Sequence, residues 1–588
     1  MKNHLAHMVL QRAKKFGSRP VFKVIGEDQQ KLENLSWDFL AKKVNEVSKS
    51  LITLGHSSES KIGIFANNRP EWTIADIGIL SIRAIVVPFY GTSNMEQLKY
   101  IVDETKMELM FVDDTSQLEK ALQLIGKSTL KTIVTFSEQI TQHEAVISWS
   151  DFCLLGNKVE EKELTDLLEL AHEDDIASII YTSGTTGEPK GAMLSHLNFM
   201  HCFKINDLRL DITENDHSLA FLPLSHIFER SWTLFFMYKG GVNTFLSNPK
   251  KVIETLPLVK PTVMCVVPRF FEKTYDGIFE EYHRWSSTKQ KIFDWSIAIG
   301  HQAIGKHKLP FLLSVKHQIA QKLVLNKLMA IFGGQLRTTP CAGAAIQPEL
   351  LKFFHAIGLF VNYGYGATET TATVSCMKTN VFDLDTCGSI MPETTVSIGE
   401  NEEIIVEGDT VFKGYYKKPE ETANVLTGKI FKTGDKGFIT KENYLVMTDR
   451  IKDMMKTSGG KYISPQKLEL LIGQNKFVEQ VVVVGDNRKF VSALIVPTFD
   501  LLKQAHPLLK LDNKSHREIV DHPEVIAFYK KLIDQDQSKL DGYEQIKRFI
   551  LLPEPFSIEN NGLTNTLKIK RKHVTELHID LIDLMYKS

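Results

Sequence analysis

Eleven residues, Tyr181-Thr-Ser-Gly-Thr-Thr-Gly-Glu-Pro-Lys-Gly191, carry three glycines, four serine or threonine side chains and one lysine, at the end of the apolar run 176–181. A buried strand that opens into such a loop is suited to holding phosphate. Gly184, Gly187 and Gly191 permit turns that bulkier residues resist. Successive backbone N–H groups can then converge on phosphate oxygens. The hydroxyls of Thr182, Ser183, Thr185 and Thr186 add donors, and Lys190 adds a positive charge. A Walker A loop ends in Gly-Lys-Ser/Thr. Here Lys190 follows Pro189 and precedes Gly191, so a P-loop ATPase or kinase is disfavoured.

Three further places could do chemistry in company with that loop. They are Thr368-Glu369 inside Asn362-Tyr-Gly-Tyr-Gly-Ala-Thr-Glu-Thr370, the pair Asp435 and Arg450 set fifteen positions apart, and the basic run 568–572. Taken singly, a Thr-Glu pair is ordinary exposed polarity, Gly-Asp is an ordinary turn, and a charge run is usually solvated.

The elements that must position these residues alternate. Strand patterns at 61–66, 84–89, 109–112 and 132–136 are interleaved with helical stretches at 70–82 and 116–125. Such alternation predicts a mostly parallel sheet covered on both faces, with ligands at the carboxyl ends of its strands. After about residue 400 short strands at 403–407, 438–440 and 444–448 predict a small antiparallel unit. Beyond 449–452, runs at 481–484 and 490–496 joined by a turn predict a hairpin. The expected class is α/β. A large N-terminal domain of layered sheets, 1–449, carries the small antiparallel unit, and a smaller, mobile α+β domain spans 450–588.

Composition narrows the classes. The chain has 588 residues, 43% hydrophobic and 24% charged, with formal net charge -1. That excludes a disordered or collagen-like chain and gives no bulk attraction to nucleic acid. Six cysteines without a CxxC pair read as reduced packing residues of a cytoplasmic-type compartment. Residues 1–20 lack the apolar core of a signal peptide. Between Trp295 and Leu350 the sole acidic residue is Glu349, against Lys306, Lys308, Lys316, Lys322, Lys327 and Arg337. Leu312, Val315, Ile319 and Leu323 recur there at helical spacing. A surface helix with a solvated basic face is favoured; the alternative is a peripheral contact with a membrane surface.

The Tyr181–Gly191 loop resembles the signature loop of the AMP-forming adenylating superfamily, which includes acyl-CoA synthetases, firefly luciferase and peptide-synthetase adenylation domains. Ordered segments out to Arg571 are similar to that family as well. The resemblance implies ATP, Mg2+ and coenzyme A as cofactor and cosubstrates, with the loop residues Thr182, Ser183, Gly184, Thr185, Thr186, Gly187 and Lys190 on the nucleotide phosphates. It further implies that Tyr365 stacks on adenine beside Gly366, that Thr368 contacts the AMP phosphate and that Glu369 binds the metal. Gly343, Ala344 and Ala345 look like the adenine-side loop, although Ala342-Gly-Ala-Ala345 departs from the Gly-Gly-Ala-Pro common in long-chain members. Asp435 resembles the ribose-binding carboxylate, and Arg450 the arginine near it.

Leu563-Thr-Asn-Thr-Leu-Lys-Ile-Lys-Arg571 is similar to the catalytic-lysine segment, with Lys568 at the matching place and Asn565 where long-chain members typically have proline. Lys452 matches the hinge about which the C-terminal domain rotates between half-reactions. That rotation would bring Lys456, Gly459, Gly460 and Lys461, with Arg269, to coenzyme A. Phe221-Leu-Pro-Leu-Ser-His-Ile-Phe-Glu-Arg230 and Val267-Pro-Arg-Phe-Phe-Glu-Lys273 resemble the long-chain subgroup. They imply a fatty acid substrate, with His226 near its carboxylate and Phe221, Phe228 and Phe270 as candidates for an acyl tunnel. A ligase for another carboxylic acid, and an acyl-AMP ligase that delivers to a carrier protein, would share the nucleotide site.

Overall fold

A computed structural model describes residues 3–587 apart from 27–30, 138–142, 183–187, 307, 380, 506, 510, 559 and 565–567. The strands Lys61–Phe65, Ile85–Phe89, Leu109–Val112 and Thr132–Thr135 are almost wholly apolar, and all but Lys61 and Thr132 are buried. Strands buried on both faces suit a parallel sheet clothed by helices. They form one seven-stranded sheet in the order Val146–Ser148, Thr132–Thr135, Leu109–Val112, Lys61–Phe65, Ile85–Phe89, Ile176–Thr182, Lys190–Ser195. Every pairing is parallel except the last, a hairpin whose loop is the glycine-rich segment.

The helix Pro70–Ser81 begins with proline at its first turn and is buried apart from Glu71, as befits an apolar helix packed between layers. A four-stranded sheet, His217–Ala220, Val242–Phe245, Pro20–Ile25 and Leu32–Ser36, lies in this half. So does a second one, Thr338–Cys341, Phe360–Tyr365, Ser375–Cys376 and Ser389–Ile390. An ion pair ties three elements together. Arg230, 1% exposed, donates to both oxygens of buried Asp76 at 2.9 and 2.6 Å, and to Ser178 Oγ at 2.6 Å. It thereby fixes helix Ile227–Lys239 against Pro70–Ser81 and the strand that leads into the glycine-rich loop.

The antiparallel unit contains Thr395–Ile398, Glu403–Glu407, Ile430–Ile439, Leu426–Thr427 and Leu445–Arg450. The short strand expected at 438–440 is the tail of the ten-residue strand Ile430–Ile439. Gly434, at φ +72, sits inside this strand where its pairing with Glu403–Glu407 shifts register. The glycine bends the strand instead of ending it. Past residue 450, Val478–Val484 and Val491–Pro497 pair antiparallel, and Ile546–Leu551 joins parallel to the second. Buried residues from Met455 to Met585 form their own core.

The basic stretch folds as the helices Ser287–Ala303, Phe311–Ala320 and Asn326–Ile331, with a π-turn at Gln321–Leu325. Its lysines are exposed, as expected for a solvated face, but so are Leu312, Val315, Ile319 and Leu323.

Candidate active site

Tyr365 ends the strand Phe360–Tyr365, and its hydroxyl donates to Asp435 Oδ2 at 2.6 Å. Asp435 is 6% exposed and pairs in register with Arg450 across the antiparallel ladder. Arg450 Nε lies 3.4 Å from Asp435 Oδ1. Burial pushes the Asp435 carboxyl above the ordinary range, and Arg450 and the Tyr365 hydroxyl oppose that shift. A single turn beyond the strand, Thr368–Thr370, presents Glu369. Burial raises its carboxyl too, and Tyr415 Oη donates to its Oε1 at 2.8 Å. Gly366 has no room for a side chain, because a Cβ there would stand 2.1 Å from the Ala372 carbonyl oxygen.

Lys568, from the C-terminal segment, lies within electrostatic range of Asp435 and Arg450. Its backbone N–H donates to Thr564 Oγ1 at 3.0 Å, and its carbonyl accepts from Thr564 N–H at 2.7 Å. Burial and Arg450 lower the ammonium to about 8, while Asp435 and Asp453 pull the other way. The residue is nonetheless exposed to solvent. His226 caps the helix Ile227–Lys239, and its Nδ1 accepts from Phe228 N–H at 3.2 Å. Burial, with Lys568 nearby, lowers its imidazole to about 4. His226 is therefore neutral near pH 7. With Nδ1 accepting, its proton sits on Nε2.

On the loop hairpin, Thr182 Oγ1 donates to the Lys190 carbonyl at 3.4 Å. Lys190 forms an ion pair with Glu421, and its ammonium lies 5.3 Å from the centre of the Tyr415 ring. Ser183, Gly184, Thr185, Thr186 and Gly187 lie outside the described residues. Gly343, at φ +93, Ala344 and Ala345 follow the strand Thr338–Cys341, and the Tyr363 hydroxyl donates to the Ala344 carbonyl at 3.3 Å. A cavity of about 50 Å³ opens beside Tyr365, lined by Phe228, Trp232, Phe235, Cys202 and Cys376. Phe221 and Phe270 do not line it. They pack on each other in the core, with ring centres 5.8 Å apart.

The structure does not bring the remaining candidates to this group. Lys456 and Lys461 flank an exposed turn with Gly459 and Gly460, and Lys456 N–H donates to Asp486 Oδ1 at 3.0 Å. The Lys461 ammonium lies over Tyr543. Arg269 pairs with Glu272 on its own helix at 2.9 Å, and no hydrogen bond or ion pair joins it to that turn among the described residues. Lys452 is exposed in the short turn Ile451–Asp453.

The sequence pattern of the AMP-binding enzyme family matches residues 9–416, and that of the AMP-binding enzyme C-terminal domain matches residues 452–588. The chain belongs to the AMP-binding enzyme family. Among relatives of this AMP-binding enzyme, the long-chain-fatty-acid–CoA ligase FadD15 of Mycobacterium bovis is 31% identical over 571 residues, covering 93% of this chain and 91% of that protein. Long chain acyl-CoA synthetase 1 of Arabidopsis thaliana is 30% identical, covering 93% and 86%. The same fold occurs in the A domain of a carboxylic acid reductase from Segniliparus rugosus, solved with AMP and a co-purified carboxylic acid. Its TM-score is 0.76 at 20% identity, over 99% of this chain and 94% of that one. The anthranilate CoA ligase AuaEII, solved with anthranoyl-AMP, gives 0.74 at 18% identity, over 99% and 98%.

Two residues of this AMP-binding enzyme escape a reading of the sequence. Tyr415 and Glu421 hold Glu369 and Lys190 in place. Tyr415 is there because the segment 412–416 runs beside the strand Lys190–Ser195, and Glu421 follows on the helix Pro419–Val425. Lys413 N–H donates to the Met193 carbonyl at 2.8 Å, Met193 N–H to the Gly414 carbonyl at 2.9 Å, and Tyr416 N–H to the Gly191 carbonyl at 2.8 Å. The available signal was the run Gly414-Tyr-Tyr-Lys-Lys-Pro-Glu-Glu-Thr422, whose paired tyrosines follow a glycine at φ +121.

Proposed function

We propose that this protein is an AMP-forming long-chain fatty acid–CoA ligase. It joins a fatty acid to ATP as acyl-AMP with loss of pyrophosphate, then passes the acyl group to coenzyme A with release of AMP. The observation that carries this reading is the position of Lys568. A lysine from the C-terminal segment stands close enough to Asp435, Arg450 and His226 to shift, or be shifted by, each of them. The fatty acid specificity draws on the names of the relatives at about 30% identity.

In the first half-reaction a carboxylate oxygen attacks the α-phosphorus, a new P–O bond forms, and the bond to pyrophosphate breaks. Catalysis is mainly positioning and charge stabilisation. Asp435, flanked by Arg450, would accept the ribose hydroxyls, and the Tyr365 ring would face the adenine beside Gly343, Ala344 and Ala345. Lys568, as an ammonium, would bridge the incoming carboxylate and the α-phosphate. The Nε2–H of His226 would donate to the same carboxylate. Thr182 to Gly187, Lys190 and Thr368 would bind phosphate oxygens, and ATP would draw Lys190 away from Glu421.

Glu369 suits a magnesium ion. It is a hard oxygen donor whose burial is only partly offset by its own backbone N–H, the Tyr415 hydroxyl and Arg450. No group of three His, Cys, Asp or Glu side chains that could hold a metal occurs among the described residues. Phosphate oxygens and water would have to supply the other ligands, as is usual for Mg2+. When bound, the ion would neutralise charge on the phosphates.

For the second half-reaction residues 450–588 would rotate about Lys452 against residues 1–449. This withdraws Lys568 and presents Lys456, Gly459, Gly460 and Lys461, with Arg269 opposite, to coenzyme A. The thiol sulfur then attacks the acyl carbon, and AMP leaves with the electrons of the broken C–O bond. The apolar cavity beside Tyr365 would take the start of the acyl chain. At about 50 Å³ it is far below the roughly 300 Å³ of a small-molecule site, so Phe228, Trp232 and Phe235 must part to admit more. The test supplies purified protein with ATP, Mg2+, coenzyme A and fatty acids of graded length. AMP release that needs both acid and coenzyme A supports the ligase. Acid-dependent pyrophosphate release with acyl-AMP retained, and no AMP release on adding coenzyme A, points to an acyl-AMP ligase, and ADP release overturns the reading.

A further inference from the structure

The helix Phe311–Ala320 and its π-turn Gln321–Leu325 turn their apolar residues outward. Phe311 is 81% exposed, Leu312 73%, Val315 42%, Ile319 46% and Leu323 44%. At 100° per residue, the first four fall within about 100° of one face. Ala320 and Leu325 are buried, and Leu313 and His317 half-buried, so the opposite side of the same helix rests on the body. The stripe is therefore an unpartnered face and not a frayed core helix. By the same count Lys316 borders it at about 140° and Lys322 falls within it at about 20°, while Lys308 precedes it and Lys327 follows it. All four are exposed, and none forms a hydrogen bond or ion pair among the described residues. Acidic residues are missing from the whole stretch between Trp295 and Pro348. Asp294, just outside it, accepts from the Tyr282 hydroxyl at 3.0 Å.

We propose that this face docks on the surface of an anionic lipid bilayer. Five apolar side chains would enter the boundary between headgroups and acyl chains, and the four lysines would meet lipid phosphates. An interfacial helix combines an apolar stripe with a cationic border, and both are built here on one exposed element. The charge decides between occupants. A second copy of this chain would bring four unpaired lysines against four more, which repels, whereas an anionic leaflet neutralises them. No helix among the described residues is long and apolar enough to cross a membrane, so the contact is peripheral. The inference goes beyond the ligase reading and does not depend on it, since it concerns a face outside the cleft.

Vesicle flotation of the full-length protein tests it without ATP or coenzyme A. Vesicles of phosphatidylcholine alone are compared with vesicles of phosphatidylcholine mixed with phosphatidylglycerol. The wild-type chain should float with the mixed vesicles. Replacing Leu312, Val315 and Ile319 by Ser should weaken binding at least about tenfold, since each buried aliphatic side chain contributes substantially. Replacing Lys308, Lys316, Lys322 and Lys327 by Gln should weaken it by about six hundredfold, at about fivefold per lysine. Both variants should keep the wild-type circular dichroism and thermal midpoint, because none of these side chains is buried. Three results would overturn the proposal: no flotation of the wild-type chain, equal flotation of wild type and both variants, or a vesicle-free dimer that the serine variant dissociates.

Discussion

Replacing Tyr415 by Phe removes one oxygen and leaves the ring that lies 5.3 Å from the Lys190 ammonium. What is lost is the hydrogen bond from the hydroxyl to Glu369 Oε1 at 2.8 Å. A hydrogen bond to a charged group contributes about 1.5–3 kcal/mol, and burial already disfavours the Glu369 carboxylate. If Glu369 must be held as a metal-binding carboxylate in the adenylation transition state, that loss lowers kcat/KM by about 10- to 150-fold. Isotope exchange between pyrophosphate and ATP, driven by a saturating fatty acid, reads this half-reaction alone. Measured against rising Mg2+, the variant should need a higher concentration for half-maximal rate and recover part of its activity at the top of the range. Tyr415→Leu should lose more, because the ring over Lys190 goes too. An exchange rate and Mg2+ dependence within about twofold of wild type would refute the reasoning.

Two other perturbations test the scaffold behind the cleft. Asp76→Ala strands the buried Arg230 charge and should lower stability by about 3–5 kcal/mol in chemical denaturation, whereas a cost below about 1 kcal/mol would mark the pair as solvated. Glu229 is buried, accepts from Leu222 N–H at 3.0 Å, and has its carboxyl pushed up to about 8. The folded chain therefore holds a proton that the unfolded chain releases near its ordinary carboxylate pKa, so stability falls as pH rises from about 5 to 8. Glu229→Gln should flatten that part of the profile; parallel profiles for the two proteins would contradict the assignment.

Much of the fold is legible because apolar patterning dictates it locally. The strands at 61–65 and 85–89, and the helix Pro70–Ser81 with its leading proline, announce themselves within a dozen residues. The strand Ile430–Ile439 was harder, because a glycine at positive φ usually ends a strand and here it only bends one. Tyr415 was illegible for a different reason. Its hydrogen bond spans 46 positions and exists only because residues 412–416 lie along Lys190–Ser195, a pairing no local pattern encodes. The 295–350 stretch shows a third case. Its periodicity reveals a helix, but which face looks outward depends on what else packs there, and the structure turns Leu312 and Val315 to solvent. The proximity of Tyr365, Asp435 and Arg450 follows from one strand end and one ladder, and it could be anticipated only through motif resemblance.

The role proposed for Lys568 is tested by separating the half-reactions. Lys568→Ala should abolish fatty-acid-dependent exchange of pyrophosphate into ATP. The same protein, given synthetic acyl-AMP and coenzyme A, should still form the thioester at close to the wild-type rate. Equal loss of both activities, or exchange that survives the substitution, would contradict the role assigned to Lys568.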